Sequence, residues 1–341
     1  MHGYVLSGEH ETLPYEELKA ILDIFKVKSK VERINRYALV EDSPVLKVIE
    51  RSGDIDEGHE VIFKYKYREG ESLNNFFKEF DNFLKNYNLE FKGSYAVRTL
   101  KLFKDDYTKN LNSLTIEREI GGIIKRHSNA KVNLEEPDNL FRVVIEKDFI
   151  FISKVLAFRD REYFRKNRPH LRKYFHPGCI MPKLARAMVN LARVKENDIV
   201  LDPFCGTGGF LIEAGLLGAK LIGCDIDWRM SRGTLINLED YNLLNNVIKI
   251  KTLDAKYVKD FLRELNIDKV DAIVTDPPYG ISTAKKGEVE NILYELPEVI
   301  KEGGYFVFAY PKFIELNLKL ENLFKIYIHK NLIRHIHVYR V

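Results

Sequence analysis

Two short stretches carry residue types that can do chemistry together. The first is Asp202-Pro-Phe-Cys-Gly-Thr-Gly-Gly209, set between the apolar run Ile199-Val200-Leu201 and the helical stretch Phe210 to Leu217. A buried strand that delivers a carboxylate into a glycine-rich turn, which then opens a helix, is how an α/β sheet makes a nucleotide-type pocket. Glycine lets backbone and ligand approach closely. The second stretch is Thr275-Asp-Pro-Pro-Tyr-Gly280, at the end of the apolar run Val270 to Thr275. The prolines Pro277 and Pro278 stiffen the backbone, so the Asp276 carboxylate and the Pro277 carbonyl can be paired acceptors aimed at one point. The exocyclic amine of a nucleobase presents two N–H donors at such a point, and Tyr279 offers the base a face to stack on. Hydrogen bonding there would turn the amine's lone pair toward a methyl donor for in-line displacement. A base within folded RNA must be flipped out to reach it. For the tetrapeptide alone, a plain proline turn is the bland alternative.

Two more acids narrow the pocket. Asp225 lies nineteen residues beyond Gly206, about where such a sheet places a carboxylate to accept ribose hydroxyls. A nicotinamide cofactor satisfies that spacing too, but the turn is not the Gly-x-Gly-x-x-Gly that seats a pyrophosphate. Asp202 could bind a cationic amino-acid moiety, which S-adenosylmethionine has and a dinucleotide lacks. Asp254, after the next strand candidate, is placed for the adenine amino group. Strand-end capping is the structural alternative for all three.

The elements that must position these residues alternate. Helix Pro182 to Ala192 precedes strand Asp198 to Leu201, and strand Ala219 to Cys224 precedes helix Met230 to Tyr241. Strands Val247 to Lys251, Val270 to Thr275 and Tyr305 to Tyr310 follow. This rhythm implies right-handed crossovers and a doubly wound, mostly parallel sheet. Lys325 to His329 and Ile333 to Val341 read as a closing antiparallel hairpin.

Composition limits the alternatives. A chain of 341 residues with 45% hydrophobic content supports two or three folded domains. It has no eighteen-residue apolar stretch and no leader-like amino terminus, so neither a membrane span nor a secretory signal is expected, and the cytoplasm is the default. The three cysteines, Cys179, Cys205 and Cys224, fall in no metal-ligand spacing. No metal is expected. Gln is absent while Lys, Glu and Ile abound, a composition that resembles hyperthermophile proteins, although biased base usage produces a similar pattern.

Upstream, residues 1 to 68 read as a small α+β domain with a helix at Pro14 to Phe25 and strands at Tyr37 to Val40 and Val61 to Tyr67. Residues 69 to 153 repeat helix, strand, helix, strand. Between Lys154 and His176 stand eight Lys or Arg against two acids, a net +6, with five aromatic residues interleaved. Cations neutralise phosphates while rings and guanidinium planes stack on unpaired bases, so this stretch suits single-stranded or bulged RNA. A solvated linker is the alternative.

The strand Tyr95-Ala-Val-Arg98, the Ile-Gly-Gly helix around Gly121 and the turn Val132-Asn-Leu to Pro137-Asp138 resemble a THUMP domain, an RNA-binding module of tRNA-modifying enzymes. Residues 176 to 341 resemble amino-methyltransferases of the Asp/Asn-Pro-Pro-Tyr kind. Together the chain resembles the archaeal tRNA guanosine-10 N2-methyltransferases. The resemblance implies a ferredoxin-like domain at 1–68, THUMP at 69–153, a basic aromatic linker at 154–176 and a Rossmann-like methyltransferase domain at 177–341. It implies N2-methylguanosine as product, with N2,N2-dimethylguanosine as an extension, on a tRNA whose acceptor end THUMP holds.

By the same resemblance, His176, Asp202, Pro203, Cys205, Gly206, Thr207, Gly208, Asp225, Ile226, Asp254 and Ala255 would bind S-adenosylmethionine, and Asp276, Pro277, Pro278 and Tyr279 would hold guanine. The RNA contacts expected are Arg98, Lys101, Arg126, Arg159, Arg161, Arg165, Lys166, Arg168, Arg172 and Lys173, on a monomer. Two rivals remain at this stage: an adenine N6-methyltransferase, which shares the acceptor pair, and a non-catalytic RNA-binding protein with a methyltransferase fold.

Overall fold

The structure, a computed structural model, describes residues 1–341 except 69, 104–107, 109–110, 279–282 and 331. The side chains of 283–286 and 329 are also outside the description. Tyr279, expected to stack on the base, therefore lies outside the described residues. The chain divides into two compact units: residues 1–8, 27–50 and 55–159, and residues 9–26, 51–54 and 160–341.

The first unit is built on one seven-stranded sheet. Its strands are β1 (His2–Leu6), β2 (Val31–Ile34), β3 (Tyr37–Val40), β4 (Ile55–Lys66), β5 (Tyr95–Lys101), β6 (Asn139–Ile145) and β7 (Phe149–Phe158), in the order β2-β3-β1-β4-β7-β6-β5. Helices Leu73–Leu84 and Ser113–His127 contribute Phe76, Phe80, Ile116, Ile120 and Ile124 to its core, residues three or four apart and so on one helix face. Ser72 caps the first helix by accepting from the Asn74 amide, and Asn112 caps the second through Thr115. The boundary expected at residue 68 falls just past β4, yet the sheet continues across it through β7. Strand β7 also occupies 154–158, the first part of the expected linker. Its Ile150, Phe151 and Ile152 are fully buried because β7 pairs on one side with β4 and on the other with β6. That long-range pairing, not local pattern, makes the segment a strand.

The second unit carries β8 (Ile199–Asp202), β9 (Lys220–Asp225), β10 (Val247–Thr252), β11 (Val270–Thr275), β12 (Ile300–Tyr310), β13 (Lys319–His329) and β14 (Leu332–Arg340). Their order is β10-β9-β8-β11-β12-β14-β13, parallel from β10 to β12 and then antiparallel. This is a doubly wound, mostly parallel α/β sheet with an antiparallel terminal hairpin, as the sequence pattern implies. Strands β8 and β11 are near-continuous apolar runs, as strands buried on both faces must be. Burying a side chain such as Val274 contributes roughly 1.5–3 kcal/mol. The strand order reverses between β8 and β11, and ligands of open α/β sheets bind at the carboxyl ends of strands at such a reversal.

Helix Leu13–Ile24, read in sequence as part of the first domain, belongs to this unit. Leu13 and Ala20 join its core. Buried Glu17 accepts from the amides of Gly53 and Asp54 and from the Asn190 side chain, each at 2.7 Å. The helix face at Leu18, Ile21 and Leu22 is apolar in the sequence, but nothing local says which core it covers.

Candidate active site

Strand β8 ends at Asp202, which is 1% exposed, and the next residues turn sharply. Gly206 and Gly208 take φ of +52° and +84°, the left-handed region that favours glycine. The Gly208 amide donates to the Cys205 carbonyl at 2.7 Å, and the Cys205 amide donates to the Cys224 carbonyl at 2.9 Å, tying the turn to β9. Helix Trp228–Asp240 braces it from below. Thr234 Oγ1 donates to the Gly206 carbonyl at 2.8 Å, and Asn237 Nδ2 donates to the Thr207 and Tyr174 carbonyls, both at 2.9 Å. Thr234 and Asn237 are fully buried, and no motif in the sequence marks them. The available signal is subtler: two polar residues three apart on the buried face of a helix.

Asp202 Oδ1 accepts from Thr275 Oγ1 at 2.6 Å and from the Phe204 amide at 3.2 Å. Thr275 is the last residue of β11, so this bond joins the tips of the two strands that flank the order reversal. Burial pushes the Asp202 carboxyl up to about 7, and the nearby charges of Asp225 and Asp276 push in the same direction. A carboxyl so desolvated and surrounded by acids favours a cation. Asp225 Oδ2 accepts from the Gly206 amide and its Oδ1 from the Asp227 amide, both at 3.0 Å. Each carboxylate oxygen keeps lone-pair capacity for a hydroxyl. Burial raises this carboxyl too. Ile226 beside it is 72% exposed, an apolar surface at the rim on which a flat ring could rest. Asp254 caps the following turn, accepting from the Lys256 amide at 3.1 Å, with Lys256 Nζ 3.4 Å from its other oxygen. Ala255 is buried directly after it.

One pocket of about 480 Å3, open to solvent, gathers much of this. Its walls are His176, Pro177, Gly178, Cys179, Ile180, Asp202, Phe204 to Thr207, Gly209, Phe210, Met230 and Asp276. Cys179 Sγ donates to the His176 carbonyl at 2.7 Å and lies 3.0 Å from Thr207 Oγ1, which fastens the 176–180 wall to the glycine turn. Asp202 and Asp276 thus face one space. Pro203, Gly208, Asp225, Ile226, Asp254 and Ala255 are not among its walls; Asp225 touches it through the Gly206 amide. Among the described residues, a Cβ at Gly206 would meet nothing within 4 Å, so the turn leaves room for a ligand against bare backbone. A buried acid for a cation, an acid with two accepting oxygens for a diol and an open glycine turn together fit S-adenosylmethionine.

Asp276 sits at the mouth of β11, followed by buried Pro277 and exposed Pro278. Its Oδ2 lies 3.2 Å from Arg334 Nη2.

The expected RNA contacts are scattered more than their sequence positions imply. Arg165 and Lys166 are exposed and pair with Glu162, Lys173 is exposed and pairs with Asp240, and Arg161 and Arg168 are exposed. In the first unit Arg98 donates to the Leu134 carbonyl, Lys101 to the Leu111 carbonyl, and Arg126 to the Asp81 carboxylate. Arg159 is held by Asp56 at 2.6 Å, with only 9% of its side chain exposed. Arg172 departs from expectation. It is 6% exposed and buried near Tyr241 and near the Glu213 carboxylate, whose charge it favours, so it does not stand on the surface. Glu213 also receives Arg186 at 2.8 Å and the Tyr163 hydroxyl at 2.8 Å. The aromatic-basic stretch is therefore partly an anchor. Among the described residues, no group of three His, Cys, Asp or Glu could hold a metal, and no helix is long and apolar enough to cross a membrane.

A glycine-turn pocket at the order reversal, with the Asp-Pro-Pro motif at its lip, defines the class of Rossmann-fold amino-methyltransferases. Comparison with known proteins agrees. The family model described as an RMKL-like methyltransferase domain matches residues 169–321, and one described as DNA methylase matches 24–235. The tRNA (guanine(10)-N2)-dimethyltransferase of Methanocaldococcus jannaschii is 68% identical over 100% of this chain and 99% of its own. The enzyme of the same description from Methanothermobacter thermautotrophicus is 38% identical over 94% and 92%. The crystal structure of TrmN from Thermus thermophilus matches with a TM-score of 0.56 at 16% identity, covering 99% of each chain, which shows a shared fold. The chain belongs to the family of tRNA (guanine(10)-N2)-dimethyltransferases.

Proposed function

We infer that this chain methylates the exocyclic N2 amine of a guanosine in tRNA, with S-adenosylmethionine as methyl donor. Family membership at 68% identity supports the activity. The observation that carries the site assignment is that Asp202 and Asp276, at the tips of adjacent strands β8 and β11, line the same pocket. Asp202 binds the donor's ammonium group, Asp225 its ribose hydroxyls, and Ile226, Asp254 and Ala255 surround its adenine. His176 and the segment after it close the pocket's outer wall. Bound there, S-adenosylmethionine supplies a methyl carbon made electrophilic by its sulfonium.

The chain's own residues do the rest. Asp276 and the Pro277 carbonyl accept the two N–H bonds of the amine, which takes its lone pair out of the plane of the purine and points it into the pocket. Tyr279 stacks on the base. The nitrogen that gains a methyl group sheds a proton, and the Asp276 carboxylate is the base at hand to take it and pass it to water. A second round, giving N2,N2-dimethylguanosine at position 10, requires the monomethylated amine to use one remaining N–H with the same acceptors. The first unit, through its THUMP-like elements, and the exposed cations Arg161, Arg165, Lys166, Arg168 and Lys173 hold the tRNA.

Asp276→Ala should abolish methyl transfer while tRNA binding and S-adenosylhomocysteine affinity stay within a few-fold of the parent. Retained turnover would remove Asp276 from the mechanism.

A further inference from the structure

Resting on the base-site reading above, we propose that Arg334 is a positioning residue for Asp276: it holds the carboxylate ionised and in plane, and thereby makes this chain's motif dependent on Asp where an Asn would otherwise serve. Arg334 is the third residue of β14. That strand runs antiparallel to β12, with His335 opposite Tyr310, the last residue of β12. The beginning of β14 therefore lies at the carboxyl edge of the parallel strands, the edge at which β11 delivers Asp276. Nη2 of Arg334 reaches Oδ2 of Asp276 at 3.2 Å, and the two side chains are 11% and 13% exposed. An ion pair this well shielded is weakly screened by salt, and removing either member leaves a desolvated charge.

The chemistry of the pocket explains why such a pair is useful. Apart from Arg334, acids lie near Asp276 among the described residues: Asp202 at the tip of β8, whose carboxyl is pushed up by burial and then by the charges of Asp225 and Asp276, and Asp225 of β9, one strand further. His176, Cys179 and Cys205 also line the pocket. In a cluster of carboxylates one member tends to keep a proton. At position 276 that proton would convert the acceptor into a donor, which faces an amine donor and repels it. A guanidinium on Oδ2 opposes this and fixes the orientation of the carboxylate plane. The carboxylate has roughly four lone-pair sites, so engagement by Arg334 leaves acceptor capacity for the base. An Asn at 276 would present its amide either as NH2 toward the guanidinium or as NH2 toward the amine, and each is a donor facing a donor. Nothing in the sequence hints at this, since Arg334 lies 58 positions from Asp276 in an apparently ordinary edge hairpin.

The test is a set of Arg334 and Asp276 variants of the full-length enzyme, assayed on unmodified tRNA transcript. Arg334→Ala should lower kcat roughly 10- to 100-fold, as loss of a supporting partner typically does, with the KM for tRNA and the affinity for S-adenosylhomocysteine changed less than threefold. The acidic limb of its kcat–pH profile should move to higher pH than in the parent, because the carboxylate has lost the charge that kept it ionised. Arg334→Lys should restore part of kcat and return the limb toward its original position. Asp276→Asn should be more active in the Arg334→Gln background than alone. As a readout without turnover, the 13C resonance of the Asp276 carboxyl should titrate at higher pH in Arg334→Ala. Where Arg334→Ala lowers thermal stability enough to obscure kinetics, Arg334→Lys and Arg334→Met, compared by the same resonance, decide the matter. An Arg334→Ala enzyme with parental kcat and an unmoved acidic limb, beside an inactive Asp276→Ala, would overturn the proposal. An active Asp276→Ala would instead overturn the base-site reading on which it rests.

Discussion

Asp202 concentrates the physics of the proposed cofactor site in one side chain. Its carboxyl is pushed up to about 7 by burial, from a usual value near 3.8. A raised carboxyl favours the protonated form in the fold, so its contribution to stability is present at low pH and is lost as pH rises from about 4 through about 7. A bound cation reverses that preference. The affinity for S-adenosylhomocysteine, which keeps the ammonium group, should therefore increase as pH rises toward about 7 and level off above it, with proton release on binding below that point. Calorimetry in buffers of different ionisation enthalpy checks this. Asp202→Asn should bind weakly with its pH dependence flattened, whereas an unchanged slope would assign the dependence to another group. At this scale the sequence is most legible. Asp202, Asp276 and the glycine turn announce themselves because each is a rare combination at a strand end. Arg334, Thr234 and Asn237 do not, since each acts through a partner tens of residues away.

The turn from Asp202 to Gly209 depends on helix Trp228–Asp240 and on two backbone conformations that side chains resist. At Gly208, φ is +84° and an added Cβ would lie 3.1 Å from Thr234 Cγ2. Gly208→Ala should cost roughly 1–3 kcal/mol through strain in the left-handed region and weaken S-adenosylhomocysteine binding further. By contrast, a Cβ added at Gly287, in helix Thr283–Glu295, would meet no described atom within 4 Å outside its own helix backbone and its chain neighbours. Gly287→Ala should stabilise by roughly 0.5–1 kcal/mol, by reducing backbone freedom in the unfolded chain. Thermal denaturation of both variants separates strain from mere loss of a glycine. If Gly208→Ala melts and binds like the parent, the turn is not under the constraint described. The parallel strands are readable as elements because apolar runs alternate with helical periods. β7 is not, because its burial comes from pairing with β4 and β6 and Lys154, where the basic stretch begins, interrupts its apolar run.

For the molecule as a whole, the division into units departs from the order of the chain. Helix Leu13–Ile24 is early in sequence, yet it completes the core of the second unit through Leu13 and Ala20 and through buried Glu17. Glu17→Ala removes a buried acceptor shared by the Gly53 and Asp54 amides and one Asn190 N–H, while Asn190 keeps the Arg51 carbonyl, at a cost on the order of 1–3 kcal/mol for a buried hydrogen-bonding group so lost. It should lower the melting temperature with the intrinsic tRNA affinity nearly unchanged; parental stability would show that the helix is not integral to the unit. The basic stretch acts at this scale too. Its charge is legible in the sequence, but not its partition into anchors such as Arg172 and Tyr163 and exposed cations such as Arg165 and Arg168. Replacing Arg165, Lys166 and Arg168 together by Ala should weaken tRNA binding and flatten its salt dependence by roughly 0.7–0.9 in log–log slope for each phosphate no longer neutralised. Cofactor affinity should not change. An unaltered salt slope would return these side chains to the solvated surface.

Everything at the site turns on a guanine amine reaching the lip of β11 beside the methyl donor. The decisive experiment incubates unmodified tRNA transcripts with the enzyme and isotopically labelled S-adenosylmethionine, then digests the RNA and identifies and maps the labelled nucleoside by mass spectrometry. The expected result is label in N2-methylguanosine, and with longer incubation in N2,N2-dimethylguanosine, at position 10, with none in the Asp276→Ala reaction. Label in N6-methyladenosine, or label that persists in Asp276→Ala, would contradict it.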